Sequence, residues 1–80
     1  MRPDDIHEFV RRRPFQPFRI PLTDGRTYDI FHPEFAMVGR STIAVGIPRP
    51  GEAIYDRLVT ISLVHVMQIE LIEPAATENH

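Results

Sequence analysis

The stretch from Phe18 to Ile30, FRIPLTDGRTYDI, leaves the chain few ways to fold. Phe18, Ile20 and Leu22 alternate with Arg19, Pro21 and Thr23, the period of a strand with one apolar face. Beyond an Asp-Gly turn, Tyr28 and Ile30 keep the apolar residues on even numbers. A two-residue Asp24-Gly25 loop would set Leu22 against Thr27 and Ile20 against Asp29, opposing apolar to polar. A three-residue loop, Thr23-Asp24-Gly25, pairs Leu22 with Arg26, Ile20 with Tyr28 and Phe18 with Ile30. It also puts Gly25 at the left-handed position of a type I turn with a G1 bulge. Parity selects the three-residue loop. Pro21 removes one ladder donor, which predicts an open edge beside it.

Other elements arrange themselves around this hairpin. Asp4 to Arg13 reads as a short helix, with Asp5 and Glu8 spaced as a capping box and Ile6, Phe9 and Val10 on one stripe. Pro14 stops it. Phe31 breaks the alternation and places an aromatic on the outward face, where the helix stripe is expected to cover it, the alternative being an exposed partner-binding patch. Pro33 to Met37 is long enough for one helical turn. Val38-Gly39-Arg40-Ser41 bends into a strand with Ile43, Val45 and Ile47 on one face. Pro48-Arg49-Pro50-Gly51-Glu52 is a rigid polar loop. A strand from about Ile54 to Ser62 turns Val59 and Ile61 inward. Leu63 to Val66 either continues it or forms a 3₁₀ step, and a last strand carries Met67, Ile69 and Leu71. The fold expected is α+β, mainly β: a short N-terminal helix packed on a five-stranded SH3-like or Sm-like small bent sheet or barrel. Residues 1–73 form one domain, and 74–80 a flexible tail.

Two resemblances attach to these motifs. The Asp-Gly-Arg hairpin with its following aromatic resembles the opening of Sm-like proteins and implies a small barrel. Sm-like proteins usually carry a glycine after that aromatic, where this chain has Asp29, and His32-Pro33-Glu34-Phe35 replaces their base-contacting loop. Their Arg-Gly pair is missing from the last two strands, so no RNA-binding residue carries over. The run PFQPFRIPLTDGRTYDIFHPEFAMVGRSTIAVGIP, followed by YDRLVTISLVHVMQIE, resembles a group of short bacterial proteins of unknown function. That resemblance implies bacterial origin and a shared fold, and no activity.

Candidate chemistry is sparse. The chain has no cysteine, which excludes disulfides and thiolate metal sites. Ser41 and Ser62 lie in no nucleophile motif. Gly39 and Gly46 are too few for a phosphate loop. His32 and Glu34, joined by His65 or His7, could serve acid/base or metal chemistry. A metal needs three or four converging ligands, and the His-Pro-Glu step reads better as a corner, with Pro33 opening a helical turn and Glu34 at its positive end. No catalytic residue, metal or cofactor is expected, and the protein is read as not an enzyme.

The net charge of −2 argues against a dedicated nucleic-acid binder. All nine basic residues are arginine, however, and Arg11, Arg12 and Arg13 are contiguous. With Arg19 and Arg40 they form the candidate RNA-binding set of an Sm-like alternative. The leading reading is a cytoplasmic interaction or regulatory module that binds another protein, or itself, through an apolar strand edge. Phe31, Phe35 and Met37, or the edge beside Pro21, are the expected contacts. No membrane partner is expected.

Overall fold

The computed structural model of the protein describes residues 1–72; the tail expected from Pro74 onward lies outside them. Helix α1 spans Pro3–Arg11. Strands β1 (Phe18–Pro21), β2 (Thr27–Ile30), β3 (Ala36–Val38), β4 (Thr42–Pro48), β5 (Tyr55–Ser62) and β6 (Glu70–Leu71) follow, with 3₁₀ turns at Pro33–Phe35 and Leu63–His65. They form two antiparallel three-stranded sheets, ordered β2-β1-β6 and β3-β4-β5. The architecture is α+β, mainly β. Six strands replace the expected five, because Ala36–Val38 pairs with β4 where a longer helical turn was expected. The sheets do not close into a barrel. The corner at His32 and the 3₁₀ turn after it interrupt the strand that would carry hydrogen bonds from one sheet to the other.

The hairpin has the register that parity selects. Phe18 pairs with Ile30 and Ile20 with Tyr28, and the Leu22 N–H donates to the Arg26 carbonyl at 2.8 Å. Gly25 has φ +93°, which a side chain rarely tolerates. The turn is pinned by Asp24, whose carboxylate accepts from the Arg26 backbone N–H at 3.0 Å and from its guanidinium at 2.8 Å. The backbone N–H, and after it the guanidinium, hold the Asp24 carboxyl below its ordinary value. A depressed carboxyl contributes stability that is complete above its unfolded pKa and lost as pH falls through the lower folded one. NMR titration of the Asp24 carboxyl carbon should therefore show a midpoint below that of an unstructured aspartate, and Arg26→Ala should raise it. A midpoint unmoved by Arg26→Ala would leave the backbone N–H as the whole cause.

The core lies between the sheets and under α1. Ile6, Phe18, Ile20, Ile30, Ile43 and Val45 are almost fully buried, and Leu22, Ala36, Ile61, Leu63 and Val66 complete the cluster. The helix starts earlier than expected, with Pro3 at its first position. Asp5 and Glu8 therefore make no capping box; Asp4 and Asp5 sit in the first turn, where the helix dipole favours them. At the other end the Arg13 guanidinium donates to the Val10 and Arg12 carbonyls at 3.1 and 2.8 Å. The helix stripe packs on Phe18 through the Phe9 ring, 5.8 Å from it, and Phe15 of the following linker adds a second ring at 5.9 Å. The helix leaves Phe31 uncovered, contrary to the expectation from the stripe, because Phe18 and the flank of β3 absorb it.

Nor is the edge beside Pro21 open. The Pro21 carbonyl accepts from the Met67 N–H at 3.1 Å, and Thr23 donates to His65 at 2.9 Å, so residues 65–67 run along that side of β1. The last strand is correspondingly short: it comprises only Glu70 and Leu71, leaving Met67 outside it and its side chain exposed.

Candidate functional site

Alternation of ladder bonds fixes which edges stay open. The Leu22–Arg26 bond makes Ile20–Tyr28 and Phe18–Ile30 the hydrogen-bonded pairs, so Thr27, Asp29 and Phe31 turn their N–H and C=O groups away from β1. Among the described residues no other backbone takes them up. This edge lines a cleft of about 810 Å³. Its opposite wall is the end of the β4–β5 hairpin, including Ile47, Pro48, Pro50 and Arg57, with Phe35 and Val45 also in the lining.

Local sequence explains each wall. His32 is extended, and Pro33 opens the 3₁₀ turn where its missing N–H costs nothing. That turn buries Phe35 to 8% exposure and leaves Phe31 at 51%. The His32 ring meets the Phe35 ring edge-on at 5.7 Å, so the step works as a corner and the imidazole makes no loop cap. On the other wall Gly51, at φ +82°, closes the loop after Pro50. The Glu52 N–H donates to the Arg49 carbonyl at 3.0 Å. At the hairpin's end Asp56 is an extra residue, since Ile47 pairs with Arg57 but Pro48 with Tyr55. The bulge swings Tyr55 over Gly46, where an added Cβ would stand 3.2 Å from the Tyr55 Cβ and Cγ.

Of the three predicted contact residues, Phe31 and Phe35 share the cleft, the first exposed and the second buried in its lining. Phe35 thus corrects the expectation of an exposed contact: the 3₁₀ turn drives its ring inward. Met37 is 69% exposed but stands on β3, outside the cleft lining. Reasoning from sequence missed the free edge of β2 and the Pro48–Arg57 wall. The loop chemistry of PRPG was legible, but its position opposite β2 depends on how the two sheets cross.

The arginine set is dispersed among local partners. Arg19 makes a bidentate pair with Asp29, 2.7 and 3.2 Å, which raises its pKa further. Arg11 pairs with Glu8 at 3.5 Å, Arg12 lies 4.7 Å over the Phe9 ring, and Arg13 caps α1. Arg40 is exposed in the β3–β4 turn. The candidate acid/base set is also divided. His32 lines the cleft, while His65 lines a second one of about 300 Å³ and lies 3.4 Å from the Thr23 hydroxyl. Glu34 lines neither. Among the described residues no group of three metal-ligating side chains converges, and no polar or charged residue is buried. No helix among them is long and apolar enough to cross a membrane. Compared with known protein families, curated proteins and solved structures, the chain matches none of them.

Proposed function

We propose that the protein is a non-enzymatic interaction or regulatory module whose partner protein lays an extended segment along the free edge of β2, inside the cleft. The carrying observation is the coincidence of three outward-facing backbone positions, Thr27, Asp29 and Phe31, with an exposed aromatic at the end of the same edge. Backbone groups left unpaired at a sheet edge supply the hydrogen bonds of strand addition, and neighbouring pockets choose the side chains. Phe31 is the anchor at the rim, and Phe35, Val45 and Ile47 receive an apolar residue from the segment.

The chain path supports an SH3-like reading in which the barrel stays open. One bent strand is divided by the His-Pro-Glu corner into β2 and β3, and a 3₁₀ turn leads from β5 toward β6, which returns to β1. The dispersal of Arg11, Arg12, Arg13 and Arg19 onto local partners favours the protein partner over RNA.

Selection from a displayed random-peptide library on the immobilised protein tests this. Peptides with alternating apolar residues should be enriched, and Phe31→Ser should weaken their binding by about tenfold or more. Stability should move by no more than about 0.5 kcal/mol, because the ring is half exposed. Equal retention by the wild type and Phe31→Ser would place the interaction elsewhere.

A further inference from the structure

The edge of β5 stands apart from that cleft. The Leu63 N–H donates to the Ser41 carbonyl at 2.9 Å, so alternation turns Arg57, Val59 and Ile61 toward β4 and Leu58, Thr60 and Ser62 away from it. Among the described residues these three outward positions have no backbone partner. Natural edge strands are commonly blunted by lysine, proline or a bulge. Here the only bulge lies at Asp56, and from Leu58 to Ser62 the edge carries no charge and no proline. Leu58 is 53% exposed. On the inner side the cleft of about 300 Å³ separates the edge from Tyr28 and the β1–β2 hairpin, leaving room for a second strand's side chains.

We propose that β5 pairs antiparallel with β5 of a second copy about a two-fold axis through Thr60. The edge's composition favours a second copy as the occupant, because Leu58 to Ser62 paired with itself opposes no charges. Inverted about Thr60, positions 58, 60 and 62 meet 62, 60 and 58, so every outward N–H and C=O finds its complement. Threonine faces threonine on the axis, a favourable cross-strand pair. Val59 falls beside Ile61 of the second copy. Asp56 and Arg57 lie outside the overlap, and shifting the register to bring Arg57 into it at the axis would oppose two arginines. A net charge of −2 offers little repulsion between copies. Five paired residues make a small contact, below the ~1,200 Å² typical of stable complexes, so the dimer is weak and reversible.

This inference shares the premise of an edge-binding module but uses a different edge, since Thr60 does not line the larger cleft. The test is sedimentation equilibrium of the wild type, Thr60→Lys and Thr60→Glu, each alone and the two variants mixed. The wild type should dimerise at high concentration, with slowed exchange of the Leu58, Thr60 and Ser62 amides. Either variant alone should bind itself at least about tenfold more weakly, since like charges then meet on the axis. Mixing lysine with glutamate should restore pairing. A wild type monomeric at every concentration, a dimer indifferent to both charges, or a mixture that stays monomeric each overturns the proposal. Peptide capture by the wild type separates the two readings. Capture by a wild type that stays monomeric removes the dimer alone, and absence of both capture and pairing removes the shared premise.

Discussion

Phe18→Ala should remove a large share of the protein's stability. The ring is fully buried, flanked by Phe9 and Phe15 and backed by the even face of the hairpin. Truncating a buried phenylalanine costs about 3–5 kcal/mol through lost transfer energy and the cavity left behind. A domain of this length holds roughly 4–12 kcal/mol in all, so the loss runs from about a quarter of the total to the whole of it. The melting midpoint should fall by about 15–30 °C. Urea unfolding measures it directly. A loss below about 1 kcal/mol would mean that the aromatic cluster is not the centre of the core. The cost is also shared among three segments: α1 supplies Phe9, the linker Phe15, and β1 Phe18 itself. Loosening one ring therefore releases the other two.

Ile6→Ala comes next in expected effect, about 2–4 kcal/mol. It asks whether α1 is part of the fold or an arm resting on it. Nine residues are too few to be helical alone in water, so the helix exists because Ile6, Phe9 and Val10 find the core. Ile6 is wholly buried. The helical signal and the β signal in circular dichroism should therefore melt together, at a lowered midpoint. Met37→Ala, an exposed site on β3, should stay within about 0.5 kcal/mol and serves as the control. If Ile6→Ala melted the helix alone and left the sheets at their wild-type midpoint, α1 would be a detachable arm.

What was legible in the sequence divides by distance along the chain. The hairpin register was fixed by parity and a glycine, both local, and the structure has it residue for residue. The His-Pro-Glu corner was equally local, because proline chemistry at a helix start depends on few neighbours. Whatever depended on which face meets which was not legible. Phe31 and Phe35 looked alike as apolar residues around a corner, and only the turn's direction tells the exposed ring from the buried one. The edge beside Pro21 is closed by residues 65–67, more than forty positions away, and no periodicity near Pro21 encodes that. The cleft has the same origin. Its two walls come from separate hairpins, and neither carries a mark that names the other.

The position of β1 also governs the timing of assembly. It is the middle strand of its sheet, with one neighbour the adjacent hairpin strand and the other β6, so that Phe18 pairs with Leu71. While the chain emerges from the ribosome, the first hairpin can form early, but its third strand arrives only after β3, β4 and β5 have been made. Until then one side of β1 carries bare carbonyls and an apolar face. Pairings of such long sequence separation form slowly, because loop entropy must be lost before they contribute. Pro21, on the side that waits, has no N–H to offer a stray strand. The proline that looked like a mark of a permanent edge thus guards a temporary one, during the interval before residues 65–71 arrive.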